Sequence, residues 1–281
     1  MKSGSAVLDY SRPKSLDEAL RTLAGGDWRV LAGGTDLYPV AGPRLAGPVL
    51  DVTAIPGFSG LSGDQDLRIG AATTWTDIAN ANLPEAARAL QQAARQIGGR
   101  QVQNAGTIGG NLCNASPAAD GVPPLLALGA EVELVSAAGT RRLGLQDFLL
   151  GPRRTALRTG EILAAIVVPG SGLRGRSAFV KLGARSHLVI SIAMVAARLA
   201  VDGDRVTEAA IAVGAASPVA VRLPQVEAAL VGARVAEAAL RVTSADVVAS
   251  LAPIDDVRAT AAYRRAAVAE LVRRAVSEAL A

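Results

Sequence analysis

Two glycine- and threonine-containing segments, residues 31–37 and 105–111, have the residue types suited to holding an anionic ligand. The first glycine segment reads Leu31-Ala32-Gly33-Gly34-Thr35-Asp36-Leu37, and the second reads Ala105-Gly106-Thr107-Ile108-Gly109-Gly110-Asn111. Paired glycines let the backbone approach a ligand without a Cβ in the way, and their N–H groups can form an anion-binding nest. Together the segments could hold a diphosphate from both sides, and Asp120 could accept a hydrogen bond from a ribose or ribityl hydroxyl. The alternative is two unrelated turns.

Five other features could carry chemistry, and each has a plainer interpretation. Cys113 is either a reactive thiol or a small buried residue, and we favour the buried residue because no histidine is near it in sequence. His187 has no visible catalytic partner, which favours a surface position. Lys181 lies in a strand-like run, where it either faces inward to an anionic or carbonyl partner or sits at a surface edge. The GxGxxG match at 170–175 precedes a strand rather than a helix, which favours a linker. The fifth feature is a polar cluster at a helix start, interpreted as structural and formed by Asp256, Arg258, Tyr263 and Arg264.

The composition excludes several classes of protein. The chain has 281 residues, of which half are hydrophobic and 19% are charged, so it can bury the core of about two domains and is not disordered. Three phenylalanines, three tyrosines, two tryptophans and a net charge of +4 do not support a nucleic-acid platform. One cysteine and one histidine exclude an intrachain disulfide, an iron–sulfur cluster and a CxxC zinc site built from this chain alone. The first thirteen residues lack a signal-peptide core and no apolar run approaches ~20 residues, so we expect a cytoplasmic protein without a membrane span.

The hydrophobic periodicity predicts the elements that position these candidates. A helix begins after Ser15, where Glu18 completes a capping box, and ends at Gly25. Strands at 28–31 and 49–52 flank the first glycine segment, whereas residues 106–111 are predicted to form a loop. Further strands are predicted at 66–70, 131–135, 162–168, 177–182, 189–199 and 205–213, and helices at 84–98 and about 224–231, 235–250 and 260–280.

These motifs resemble one known family. LAGGTDL (31–37) and TIGGNLCNASPAADGVPPLLAL (107–128) resemble the two flavin-binding segments of the FAD-carrying medium subunit of molybdenum hydroxylases, the xanthine dehydrogenase and carbon monoxide dehydrogenase family. The chain departs from the family at Leu188, where an aspartate is often found. Similarity extends over nearly the whole chain through LDYSRPKSLDEAL (8–20), GEILAAIVVP (160–169), FVKLGAR (179–185) and DVRATAAYRR (256–265).

The resemblance implies an α+β fold and a set of cofactor contacts. Residues 1–172 would form a two-lobed vanillyl-alcohol-oxidase-type FAD-binding domain, with lobes at about 1–55 and 56–172. Residues 173–281 would form a smaller C-terminal domain with a three-stranded antiparallel sheet and a helical bundle. The residues implied to bind the diphosphate and its surroundings are Leu31, Ala32, Gly33, Gly34, Thr35, Asp36, Leu37, Thr107, Ile108, Gly109, Gly110 and Asn111. Those implied to contact the ribityl and adenosine portions are Asn114 and Asp120, and those implied to line the flavin pocket are Ile97, Leu163, Lys181 and Ile190.

The resemblance also implies a role in electron transfer. The molybdenum cofactor would lie on a large partner subunit and the [2Fe–2S] clusters on a small one, commonly in an (αβγ)2 heterohexamer. Electrons would pass from the clusters to FAD on this chain and then to an external acceptor, so no residue here is assigned as a catalytic acid or base. Two alternatives stay open: a self-sufficient flavin oxidase or reductase of the same fold superfamily, and a non-redox nucleotide-binding module.

Overall fold

The computed structural model describes residues 10–41 and 47–281. The first residues of the motif at 8–20, and most of the stretch in which no signal peptide is expected, lie outside the described part. Within it, no helix is long and apolar enough to cross a bilayer. No group of three or more histidine, cysteine, aspartate or glutamate side chains in these ranges could hold a metal ion.

The N-terminal lobe is a small parallel sheet covered by one helix. Helix α1 (Leu16–Ala24) begins as predicted, since Ser15 Oγ accepts from Glu18 N at 3.2 Å and Glu18 Oε2 accepts from Lys14 N at 3.0 Å. Ser15 therefore satisfies one donor of the first helical turn, but the predicted capping box is not complete, because Glu18 accepts from Lys14 N rather than from Ser15 N. The strands are β1 (Tyr10–Ser11), β2 (Arg29–Leu31) and β3 (Val49–Asp51), in the order β1-β3-β2.

The second lobe is built on a five-stranded antiparallel sheet with helices against it. The central strand, β10, is buried along its whole length, as a strand covered on both faces should be. The strand order is β4-β5-β10-β6-β7, and β8 pairs with β9 as a separate ribbon. The strands are β4 (Leu61–Ser62), β5 (Leu67–Gly70), β6 (Glu131–Ser136), β7 (Gly139–Gly144), β8 (Leu149–Gly151), β9 (Arg154–Thr155) and β10 (Ile162–Val168). The helices are α2 (Trp75–Asn80), α3 (Arg88–Gln96), α4 (Arg100–Ala105), α5 (Ile108–Asn114), α6 (Val122–Ala127) and α7 (Leu145–Phe148).

Two local predictions in this lobe are wrong. Residues 106–111 are not a loop, because α5 begins at Ile108. Thr107 is its N-cap and accepts from Gly110 N at 3.1 Å, and this cap outweighs the low helix propensity of the two glycines. The predicted helix at 84–98 is shorter, since residues 85–87 form a 3-10 turn before α3.

The C-terminal domain is an antiparallel sheet covered by one long helix. Its strands are β11 (Arg176–Leu182), β12 (Ala193–Asp202), β13 (Arg205–Gly214) and β14 (Val221–Arg222), in that order. The sheet therefore has four strands rather than the expected three, because two residues pair with the end of β13. The helices are α8 (Pro224–Leu230), α9 (Ser244–Val248) and α10 (Ala261–Leu280), with a 3-10 helix over Val235–Arg241.

Two predicted boundaries move in this domain. Strand β12 starts at Ala193 rather than at residue 189, so residues 183–192 connect β11 to β12. The predicted helix at 235–250 is split, since Thr243 starts a new helix by capping Asp246 N at 3.1 Å. The GxGxxG segment at 170–175 leads directly into β11, as expected of a linker.

Candidate functional site

The two glycine segments, far apart in sequence, lie against each other. A Cβ atom at Gly33 would overlap the carbonyl oxygen of Ala105. A Cβ atom at Gly106 would lie 3.3 Å from Thr35 Oγ1. Only glycine permits this approach of two backbones. The contact brings the chain after β2 against the end of α4 and the residues that lead into α5.

The first glycine segment keeps its backbone donors free. The chain leaves β2 after Leu31 and turns at Gly34, whose φ of +70° favours glycine. Gly34 O accepts from Leu37 N at 3.1 Å and from Tyr38 N at 2.9 Å, which closes the turn. None of the backbone N–H groups of residues 32–36 donates to an acceptor within residues 10–41 or 47–281. Successive free N–H groups on a glycine turn are a suitable environment for an anion.

The second glycine segment uses its backbone donors inside the protein. Ile108 N donates to Thr73 O at 3.0 Å, and Gly109 N donates to Ala71 O at 2.8 Å. A Cβ at Gly109 would lie 2.6 Å from the Cβ of Ala71. These contacts fix the start of α5 to the chain that follows β5. The segment therefore positions side chains rather than offering those amides to a ligand.

Helix α5 carries three polar or sulfur-containing side chains near this junction. Asn111 Oδ1 is buried and has no hydrogen-bond partner among the described residues. An unpaired buried amide oxygen is costly unless a ligand or water donates to it. Asn114 is half-buried and its Oδ1 accepts from Arg153 Nη1.

Cys113 differs from expectation, because its side chain is exposed rather than buried. Many protein atoms nevertheless surround it, and this desolvation raises the pKa of the Cys113 thiol to about 12. The thiol is protonated at neutral pH and is not a nucleophile.

A buried ion pair lies between the second lobe and the C-terminal domain. Lys181 Nζ is 2.6 Å from Asp120 Oδ2, and both side chains are less than one-tenth exposed. Ser191 Oγ donates to Asp120 Oδ1 at 2.5 Å, and Lys181 Nζ also donates to Gln96 O at 3.3 Å. Burial raises the pKa of Asp120, while Lys181 and Ser191 act in the opposite direction by stabilising the carboxylate. Lys181 therefore faces inward to an anionic partner and does not lie at a surface edge.

The remaining predicted site residues are spread around this pair. Leu163 is buried in β10, and Ile97 is half-buried just after α3, next to Gln96. Ile190 is 65% exposed in the connection between β11 and β12, and His187 is exposed in the same connection, as predicted. A cavity of about 380 Å³ separates this connection from α4, and its lining includes Arg95, Gly98, Gly99, Arg100, His187 and Leu188.

Ser191 and the cluster at the start of α10 were not predicted to be part of the site. Ser191 is fully buried and is the polar residue that interrupts an apolar run, which is the signal that could have identified it. Three of the four predicted residues form the cluster, with Arg258 Nη2 and Arg264 Nη2 each 2.6 Å from the Asp256 carboxylate, whereas the Tyr263 side chain is 52% exposed. Hydrogen bonds from Arg258 hold the pKa of Asp256 well below its usual range.

The free groups of the site suit a ligand that has anionic oxygens and a hydrogen-bond donor. Backbone N–H groups of residues 32–36 suit phosphate oxygens, and Asn111 Oδ1 requires a donor. The contact between Gly33 and Ala105 leaves no room for side chains at the junction. The junction therefore has free hydrogen-bonding groups and close backbone packing in one place.

Comparison with known families gives two matches that together span most of the chain. Residues 5–171 match the family described as "FAD binding domain in molybdopterin dehydrogenase". Residues 178–279 match the family described as "CO dehydrogenase flavoprotein C-terminal domain".

Comparison with individual proteins gives full-length similarity. The nicotine 6-hydroxylase medium subunit of Paenarthrobacter nicotinovorans is 33% identical over 282 residues, covering 97% of each chain. The xanthine dehydrogenase FAD-binding subunit of Escherichia coli O157:H7 is 30% identical and covers 97% of this chain and 96% of its own. Among solved structures, carbon monoxide dehydrogenase from Hydrogenophaga pseudoflava has a chain with a TM-score of 0.88 and 31% identity, covering 97% of this chain and 96% of that chain.

Proposed function

Because the chain belongs to the family of FAD-binding medium subunits of molybdenum hydroxylases, we propose that it accepts electrons from [2Fe–2S] clusters of a small partner subunit and passes them to an external acceptor. The molybdenum cofactor lies on a large partner subunit in this proposal, and the three chains form an (αβγ)2 assembly. The FAD-binding domain comprises residues 1–172 and the C-terminal domain residues 173–281.

The observation that carries the proposal is the junction of the two glycine segments. In this proposal, the free N–H groups of residues 32–36 bind the diphosphate, and the unpaired side-chain oxygen of Asn111 accepts a hydrogen bond from the cofactor. The anchored start of α5 keeps Asn111 and Asn114 in place beneath the first segment. Bound FAD supplies the capacity to take up and release electrons between two partners.

The remaining site residues orient the cofactor and keep water away from it. Asp120 accepts from a ribityl hydroxyl, and its orientation is fixed by Lys181 and Ser191. Ile97 and Leu163 supply apolar surface to the pocket, and Ile190 covers its exposed side. The protein thus positions a redox group and needs no general base of its own.

The visible spectrum of the protein tests this proposal directly. The chain purified from co-expression with its partner subunits is compared with a Gly33→Val/Gly110→Val variant, each with and without added FAD. We expect flavin absorbance in the wild type and its loss in the variant. A folded, colourless wild-type complex that takes up no FAD would contradict the proposal and favour a non-redox module. Flavin bleaching by a substrate in the isolated chain would favour a self-sufficient oxidase.

A further inference from the structure

We propose that Arg258 is a positioning residue of the flavin site, because it fixes Ser191 and thereby the Asp120 carboxylate. This inference rests on the proposed function, in which Asp120 contacts FAD. Its basis is a chain of hydrogen bonds that begins beside α10 and ends at the Lys181–Asp120 pair.

Two arginines from the C-terminal end of the chain hold two consecutive carbonyl groups. Arg258 Nη1 donates to Ser191 O at 2.9 Å, and Arg264 Nη1 donates to Ile192 O at 2.5 Å. Asp256 bridges the two guanidinium groups, with Oδ2 2.6 Å from Arg258 and Oδ1 2.6 Å from Arg264. We call Asp256, Arg258 and Arg264 the arginine clamp. Its geometry fixes the backbone at residues 191–192 from two directions.

The arginine clamp does not cap helix α10. Thr260 caps α10 by accepting from Tyr263 N at 3.1 Å, so the start of the helix is satisfied without either arginine. The Arg264 side chain is only 1% exposed and also donates to Ala215 O at 2.5 Å. A buried guanidinium is costly unless its donors are paired. The positions of its acceptors are therefore strongly constrained.

Ser191 needs such support, because it lies just outside the strand ladder. Ile192 N donates to Leu182 O at 2.8 Å, which is the last rung between β11 and β12 on this side. The carbonyl of Ser191 is bound by Arg258 instead of by a strand. The neighbouring residues Leu188 and Ile190 are 59% and 65% exposed and add little packing.

The other end of the chain of hydrogen bonds reaches the flavin site. Ser191 Oγ donates a hydrogen bond to Asp120 Oδ1, and Lys181 Nζ donates one to Asp120 Oδ2, so both carboxylate oxygens are oriented. Loss of Arg258 frees the Ser191 backbone, which lets the serine hydroxyl move away and loosens the ion pair. A connected polar network of this kind transmits a displacement because each member restricts the next.

The chain offers a readout that does not depend on FAD. Its three lysines are Lys2, Lys14 and Lys181, so amine acetylation is easily mapped by mass spectrometry. Lys181 is protected by burial, whereas Lys14 is exposed and serves as an internal reference. Acetylation rates are compared in Arg258→Met, Arg258→Lys and Arg274→Met, the last removing an exposed arginine that pairs with Glu270 on α10.

We expect Arg258→Met to raise the acetylation rate of Lys181 relative to Lys14 by about tenfold or more, with partial protection restored by Arg258→Lys and no change in Arg274→Met. In the co-purified complex, Arg258→Met should weaken FAD binding and shift the reduction potential of the bound flavin the most. Arg258→Lys should have a smaller effect on both quantities, and Arg274→Met should have none. Ser191→Ala should reproduce the effect, and its combination with Arg258→Met should add little, since both act on one contact.

The outcomes separate this inference from the proposed function. Full protection of Lys181 in both Arg258→Met and Ser191→Ala would overturn the inference, whatever FAD does. Faster acetylation of Lys181 in Arg258→Met, with unchanged FAD affinity and unchanged reduction potential of the flavin, would overturn the link between the clamp and the flavin. A wild type that binds no FAD, while Lys181 still responds to Arg258→Met, would contradict the proposed function and leave the clamp's action on Asp120 supported.

Discussion

The two glycine segments have similar residues and opposite roles. In the first, residues 32–36 leave their N–H groups free among the described residues, and the turn at Gly34 faces solvent on one side. In the second, the N–H groups of Ile108 and Gly109 donate to the chain after β5, and Thr107 starts a helix. One segment offers donors to a ligand, and the other is an anchor that presents side chains.

The difference shows that paired glycines indicate close approach, but not what is approached. At Gly33 and Gly109 the absent Cβ makes room for protein, the carbonyl of Ala105 in one case and Ala71 in the other. Ligand binding depends instead on which backbone donors the neighbouring strands leave unused. Substitutions that test the two segments separately are therefore informative.

The largest effect on FAD binding is expected for Gly33→Ala. Its Cβ would overlap Ala105 O and push the first segment away from the second, which displaces several donors at once. Because none of the backbone N–H groups of residues 32–36 donates to the rest of the described protein, the segment can shift at little cost to the FAD-free chain. We expect FAD affinity to fall by about 100-fold or more, at about tenfold per 1.4 kcal/mol, in a fluorescence titration. Gly26→Ala is the matched control, since its Cβ would make an ordinary 3.6 Å contact with Trp28; equal affinity in both variants would contradict the contact.

Gly109→Ala should act on stability rather than on the ligand. Its Cβ would lie 2.6 Å from that of Ala71, in a segment that hydrogen bonds hold in place. Overpacking of this kind costs about 1–3 kcal/mol. We expect the free energy of unfolding in urea to fall by that amount without FAD. A larger loss of FAD-free stability in Gly33→Ala than in Gly109→Ala would reverse the roles assigned to the two segments.

Asn111→Ala separates ligand binding from stability at a single side chain. The amide oxygen is buried and unpaired within the described structure, so removing it should not lower the melting temperature of the FAD-free chain. A hydrogen bond to the cofactor is worth about 1–1.5 kcal/mol, so we expect FAD affinity to fall by about tenfold. Calorimetry with and without FAD measures both quantities. A clear loss of stability without FAD would show that the side chain has a structural partner.

The smallest effect is expected for Thr35→Val, the corresponding side-chain test in the first segment. Valine keeps the shape that packs near Gly106 and removes the hydroxyl group. One hydroxyl hydrogen bond of about 1 kcal/mol corresponds to about fivefold weaker FAD binding. Unchanged affinity would mean that only the backbone of this segment, and not the Thr35 hydroxyl, binds FAD.

Local sequence rules predicted several parts of the fold and site correctly. The Ser15 N-cap places the start of α1, and the buried apolar run at 162–168 is the central strand β10. The same rules failed at 106–111, where the glycines suggested a loop and the Thr107 cap produced a helix. They also failed at Cys113, which is exposed rather than buried.

The sequence by itself determined the family, the two glycine segments and the absence of cysteine-based clusters, since each depends on residue types and short spacings. Only the tertiary structure decided which backbone donors stay free, which way Lys181 points and that Ser191 joins it at Asp120. Those facts depend on atoms from segments tens of residues apart. Local propensity carries no information about such pairs, because the free energy that fixes them comes from packing and hydrogen bonding between distant parts of the chain.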